Sequence, residues 1–217
     1  MDVVKLPERS TQSDADRKRF TYWGYKFEQL CTQQPNTKQQ VNANEEFCSV
    51  FKMSIGSSRI ILAAEMDCAL PKIVDKAGEK RRAEKLESEP SQLAGDTEYV
   101  ELKTSRQIEH PRQQETFQRF KLLKFWIQSF LGGVPHICCG FRDDYGQILD
   151  LQMLRTLEIP RMVRGKKNMW DPATCLEFTE TLLDSLRGAT QESKCYQLNY
   201  CAPFKCVTLH EIDENET

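Results

Sequence analysis

At 217 residues the chain is long enough for one domain with a sizeable core. A hydrophobic fraction of 39% and a charged fraction of 29% fit an ordinary soluble protein, neither disordered nor membrane-bound. A net charge of −2 argues against a basic coat for nucleic acid, yet leaves room for an enzyme that confines its positive charge to a groove.

No apolar run approaches the roughly 20 residues of a spanning helix, and MDVVKLPERSTQSDADRKRF carries no apolar signal region. The chain therefore reads as intracellular, without a membrane partner. From about Asp14 to Cys31, Trp23, Phe27 and Leu30 recur at helical spacing. Thr32–Asn44 is rich in Gln and Asn and reads as a loop. Phe47–Ile55 is β-prone and ends at the turn Gly56-Ser57-Ser58, so Ile60–Asp67 is expected to return as the second strand of a hairpin.

Pro71–Gly95 is dense in both charge signs and poor in apolar residues. It reads either as an RNA-contacting insertion or as a solvated loop. Tyr99–Thr104 is a predicted strand, followed by a helix from about Arg112 to Leu131 with Phe120, Leu123, Ile127 and Phe130 on one face and Gly132-Gly133 as its stop. HICCGF and QILDLQML are strands joined by the turn Arg142–Gly146. Asp171 then caps, and Pro172 opens, a helix to about Arg187 that ends at Gly188. CYQLNY and FKCVTLH are two further β-prone stretches. The predicted architecture is α/β (α+β), a mixed sheet flanked by helices. We expect one catalytic domain over 1–217, with its core at about 14–210, the charged insertion at about 71–96 and an acidic tail at about 211–217.

Nine cysteines without a Cys-x-x-Cys pair give no zinc-ribbon spacing, and reduced structural thiols are the expectation, Cys138-Cys139 among them.

The chemistry concentrates in Glu65-x-Asp67 and Glu101-x-Lys103. Side chains alternate along a strand, so each pair points to one face while Leu62, Ala64 and Met66, or Val100 and Leu102, point to the other. If the charged faces meet, three carboxylates and one ammonium converge. Oxygen donors of this kind suit Mg²⁺ or Mn²⁺, and two such ions about 4 Å apart clamp an in-line phosphoryl displacement. Lys103 would orient or deprotonate the attacking water, or neutralise transition-state charge. The competing interpretation is a cross-strand salt bridge on a solvent face. Glu28 lies one turn after Gly24; the missing side chain there either makes room for a metal or phosphate or permits a close helix contact. Gln128, with Lys124 and Lys121 one and two turns earlier, could hold a scissile phosphate or form an ordinary solvated edge. The basic run Arg161–Lys167 before Trp170 reads as a phosphate track with an aromatic beside it, or as a solvated loop.

The blocks YWGYKFEQ, VNANEEFCSV, AAEMDC, YVELKTS and KLLKFWIQSFL, in this order, resemble the decapping exoribonuclease (DXO) family over roughly Asp14–Phe178. The resemblance implies a fold similar to the PD-(D/E)xK nucleases. It also implies hydrolysis of incomplete, triphosphate or NAD-type RNA 5′ ends, with 5′–3′ exoribonuclease character. It matches Glu28, Glu65, Asp67 and Glu101 to metal-binding carboxylates and the Leu102 carbonyl to a backbone ligand. Lys103 and Gln128 match residues near the scissile phosphate, and Cys48 and Glu65 match substrate contacts. Nuclear residence, with the cytoplasm as the alternative, and association with a larger 5′–3′ exoribonuclease are implied in the same way. Family members carry a long segment with an Arg-bearing motif before YWGYKFE; only 27 residues precede Glu28 here, and no counterpart is evident. A DNA nuclease of the wider superfamily and an RNA-binding scaffold with weakened catalysis are the competing functions.

Overall fold

A computed structural model of the chain describes residues 14–32, 41, 46–70, 98–201 and 205–212. The charged stretch Pro71–Gly95, all of the Gln/Asn-rich stretch except Thr32 and Val41, and the tail beyond Ile212 lie outside the described residues. The chain divides into two compact units, one drawn from 1–51 and 62–170, the other from 52–61 and 171–217.

The first unit opens with α1 (Asp14–Thr32), as the periodicity predicts. A hairpin follows, β1 (Cys48–Ile55) and β2 (Ser58–Glu65), paired only with each other among the described residues. Next come β3 (Cys68–Leu70) and β4 (Glu98–Arg106), then a helix over 111–131, β5 (His136–Arg142), β6 (Ile148–Arg155) and the short α4 (Ile159–Val163). The long helix consists of α2 (Pro111–Thr116), a π turn (Phe117–Lys121) and α3 (Leu122–Leu131). The strands form a mixed sheet in the order β3-β4-β5-β6, with β4 and β5 parallel and the outer pairs antiparallel. A parallel pair needs a crossover, and the helix over 111–131 provides it.

Register decides what each face of this sheet meets. Val100, Leu102 and Thr104 sit beside His136, Cys138 and Gly140 on one face. There Phe27 of α1 is buried in a cluster with Val100 and Leu102, flanked by Cys68, Cys138 and Ile148. Gly140 makes this approach possible: a Cβ added to it would stand 2.8 Å from the Phe27 ring and 3.1 Å from Ile148. Trp23 lies on the same side of α1, with the Arg142 guanidinium 4.3 Å from its ring centroid. Leu30, expected on this stripe, is 66% exposed; Phe27 and Gln29 are the buried positions at that end of the helix.

Glu101, Lys103 and Ser105 share the other face with Ile137, Cys139 and Phe141, beneath the crossover helix. Phe117 meets Phe141 there at 5.6 Å between ring centroids. The expected apolar face of this helix is corrected. Phe120 is 55% exposed, whereas Phe117, Leu122, Phe125, Trp126 and Ser129 are buried. The π turn takes up the five residues Phe117–Lys121, so a strict 3.6 period carried across it selects the adjoining stripe. Gly132 and Gly133 end the helix as expected, Gly133 with a positive φ of 66°. The β5–β6 turn is also as expected: the Asp143 carboxylate accepts the N–H groups of Tyr145 and Gln147.

In the second unit, α5 (Pro172–Ala189) starts on Asp171, whose carboxylate accepts the Thr174 N–H, and continues through Gly188 rather than stopping there. The hairpin tip at Gly56 belongs to this unit; Ser57 donates to Asp184, and Arg187 donates to Ser58 at 2.6 Å. β7 (Cys195–Cys201) and β8 (Cys206–Ile212) pair antiparallel as a separate two-stranded sheet. The mixed sheet expected from the sequence is therefore the four-stranded one alone.

Overpacking a close helix–sheet contact costs about 1–3 kcal/mol. Gly140→Ala is expected to lower unfolding stability by about that amount, read as a shift of the denaturant midpoint with an unchanged slope.

Candidate functional site

Glu101 occupies the deepest position among the candidate residues. The sequence pattern placed it on a charged face, and the crossover helix covers that face, leaving Glu101 only 2% exposed. The solvent-facing salt bridge is thereby replaced by a buried one. A buried carboxylate needs hydrogen-bonded or charged partners. Glu101 Oε1 has two: Gln128 Nε2 donates to it at 2.6 Å, and the Lys103 ammonium pairs with it. Lys103 Nζ also stands 3.9 Å from Asp67 Oδ2.

Glu65 and Asp67 are not on one strand, as expected, but on either side of a crossing between sheets. β2 ends at Glu65, Met66 donates its N–H to the Phe47 carbonyl at 2.9 Å, and β3 begins at Cys68. The inward alternation of Leu62, Ala64 and Met66 persists through the crossing, with Met66 buried and Glu65 exposed. Leaving one ladder for another frees Asp67 to reach β4, where Asp67 Oδ2 accepts the Leu102 N–H at 2.7 Å. Leu102 thus meets Asp67 through its amide, while its side chain fills the core beside Phe27.

Glu28 joins the group from α1. Burial first, and then the charges of Asp67 and Glu65, push its carboxyl up to about 7, while the Lys103 ammonium opposes the rise. Asp67 is raised by burial, against the Leu102 N–H and Lys103. Burial raises Glu101 as well, with Lys103 the main opposing influence. Glu65 is raised by burial, by Glu46 and by Asp67. Glu46 is a carboxylate that pattern reading missed; it sits in an irregular segment before β1, where no period assigns it a direction. Four carboxylates from separate segments thus act on one another, with one ammonium among them. Among the described residues, no three carboxylate, imidazole or thiol groups are gathered as a ready ligand set.

Among the described residues Gly24 makes no close helix contact: a Cβ there would meet no heavy atom within 4 Å. The open space thus lies at Gly24, one turn before Glu28. Lys121 turns away from Glu101 and donates to Ser105 Oγ at 3.0 Å, and Lys124 is exposed. Cys48 heads β1 as an exposed free thiol, one residue after the Phe47 carbonyl that holds Met66. Cys139 is fully buried, and burial pushes its thiol up to about 12; Cys138 is half-buried. The basic run that starts within α4 is partly engaged. Lys166 donates to Gln118, and Trp170 stacks on Trp126 at 5.1 Å while its indole N–H donates to the Gln118 carbonyl. Trp170 is therefore a packing residue, with both of its resources already spent.

A family model described as RAI1-like PD-(D/E)XK nuclease matches residues 2–217. The decapping and exoribonuclease protein of Xenopus laevis is 40% identical over 189 residues, which cover 85% of this chain and 42% of that protein. Two crystal structures are similar at 28% identity, each covered over 95% of this chain. Scheffersomyces stipitis Rai1 in complex with (3′-NADP)⁺ and calcium ion has a TM-score of 0.74 and is matched over 53% of its chain. Candida albicans Rai1 in complex with pU5-Mn²⁺ has a TM-score of 0.73 and is matched over 55%. The chain thus spans about half the length of these relatives.

Because Gly24 is mid-helix with no neighbour to strike, Gly24→Ala is expected to stabilise the fold by up to about 1 kcal/mol. Urea denaturation measures it, and an unchanged or lower midpoint would contradict the open space at Gly24.

Proposed function

Since the chain belongs to the RAI1-like PD-(D/E)XK nuclease family, we propose that it is a metal-dependent RNA 5′-end hydrolase with 5′–3′ exoribonuclease character. The observation that carries this reading is the placement of Asp67 and Glu101 on either side of Lys103, with Gln128 on Glu101 and with Glu28 and Glu65 near enough to feel their charges. An all-oxygen set of mutually repelling carboxylates fits a hard divalent cation, Mg²⁺ or Mn²⁺, and four carboxylates are enough to share two ions. Glu28, Asp67 and Glu101 would hold them, with Glu65 and the Leu102 carbonyl as further oxygen donors. When bound, such a cation supplies a Lewis acid that lowers the pKa of its water and neutralises phosphate charge.

The protein's own groups have distinct tasks in this reading. Gln128 holds the Glu101 carboxylate in one orientation by donating to Oε1. The Leu102 N–H does the same for Asp67, leaving the second oxygen of each carboxylate available. Lys103 sits between Glu101 and Asp67, where its ammonium orients the attacking water and offsets the charge that builds on the phosphoryl oxygens. To Cys48, an exposed thiol at the start of β1, and to Glu65 we assign contacts with the substrate. The substrates we propose are incomplete-cap, triphosphate and NAD-type 5′ ends, with a larger 5′–3′ exoribonuclease as protein partner and the nucleus as the site of action.

The test incubates the protein with Mn²⁺ and 5′-labelled RNAs bearing triphosphate, NAD or monophosphate ends, beside matched DNA. RNA turnover is expected, with losses of about 100-fold or more for Asp67→Ala and Glu101→Ala. Gln128→Ala, which removes only an orienting partner, should cost about 10–100-fold. Activity that survives Asp67→Ala would overturn the site. Equal turnover of DNA would favour a general nuclease, and RNA binding without turnover a scaffold. Thermal melting supplies a readout separate from activity. Mn²⁺ at about 100 times its Kd is expected to add about 2.7 kcal/mol of stability to the parent chain. Asp67→Ala should lose most of that increment.

A further inference from the structure

Phe47 is 61% exposed although its backbone is held in place. Its carbonyl accepts the N–H of Met66, the residue between Glu65 and Asp67, at 2.9 Å. Its ring lies 6.2 Å from the Tyr99 ring, centroid to centroid, with the planes 31° apart. Tyr99 in turn stands two positions before Glu101 on β4, so alternation gives it the same face as Glu101 and Lys103. Two aromatic residues from separate segments therefore border the carboxylate group, and the outer one presents its ring to water.

The chemistry of the surroundings selects what that ring could meet. Glu46 precedes Phe47, and its charge reaches Glu65, so a phosphate placed over the ring would face carboxylates. A nucleobase carries no such charge and has a π face on either side. Stacking on an aromatic side chain is a common way to hold an unpaired RNA base, and it tolerates any base. Phe has no donor or acceptor with which to read base edges, and contact with Tyr99 limits the rotamers Phe47 would lose on binding.

We propose that Phe47, backed by Tyr99, is the stacking platform for a nucleobase of the RNA strand whose phosphate lies at the Glu101–Asp67 group. This deepens the nuclease reading above and rests on it. The platform grips the strand without selecting sequence, and fixes how far the base lies from the carboxylates.

Short 5′-phosphorylated RNAs carrying 2-aminopurine at one position at a time test this, bound in Ca²⁺ and followed by fluorescence quenching. The parent chain is expected to quench the probe at one position near the 5′ end. Phe47→Ala should lose that quench and bind about tenfold more weakly, while Phe47→Trp keeps both. With an abasic nucleotide at that position, the parent and Phe47→Ala should bind alike. Phe47 is exposed, so melting temperatures are expected to agree, which separates a binding effect from a folding one. Equal quenching and affinity for the parent and Phe47→Ala would overturn the platform. Parallel incubation in Mn²⁺ separates the two readings. Cleavage that Phe47→Ala does not alter in KM overturns the platform alone. A Phe47-dependent quench without cleavage supports the platform and overturns the nuclease reading.

Discussion

A carboxylate buried under a helix organises the first unit. Glu101 lies between the four-stranded sheet and the crossover helix, where an unpaired charge would be costly. Gln128 and Lys103 offset that cost, and each does so from a position already set by another demand. Gln128 is placed by the packing of α3, and Lys103 by the two-residue period of β4. Lys103 then approaches Asp67, and Asp67 approaches the backbone of Leu102. The polar chain from Gln128 to Asp67 thus passes through one fully buried member, Glu101, between partners that reach towards solvent.

The same residues explain why the sheet can carry a charged site without losing its core. β4 buries both faces, and it assigns them opposite chemistry. Val100 and Leu102 meet Phe27 of α1, while Glu101 and Lys103 meet the crossover helix. Gly140 lets Phe27 come close to the sheet, so the helix that holds Phe27 also holds Glu28 near the carboxylates. The apolar contact thereby sets the distance of a charged group one residue away. Phe27 and Glu28 are neighbours with opposite tasks on one turn of helix.

Much of this was legible in the residues. Helical spacing located α1 and the crossover helix, turn residues located the β5–β6 connection, and alternation separated Glu101 and Lys103 from Val100 and Leu102. The failures share a cause. Leu30 and Phe120 were assigned to buried stripes because an unbroken 3.6 period was carried into the last turn of α1 and through a π turn. Asp67 was assigned to the strand of Glu65 because period two says nothing about a chain that changes ladders. The two readings of the stretch before Trp170, phosphate track or solvated loop, stayed open because local sequence does not show that Trp126 stacks on Trp170.

The sequence by itself determined the ingredients: which residues could carry charge, which strands would alternate, and the order of the blocks that mark the family. Local periodicity and side-chain chemistry are properties of a short window, so they survive without knowledge of the rest. Only the tertiary structure decided that Glu101 is buried rather than exposed, that Gln128 rather than Lys121 touches it, and that Glu46 and Phe47 border the group. Those outcomes depend on which element covers which face, and segments distant in the chain settle it by competing to bury the same apolar surface.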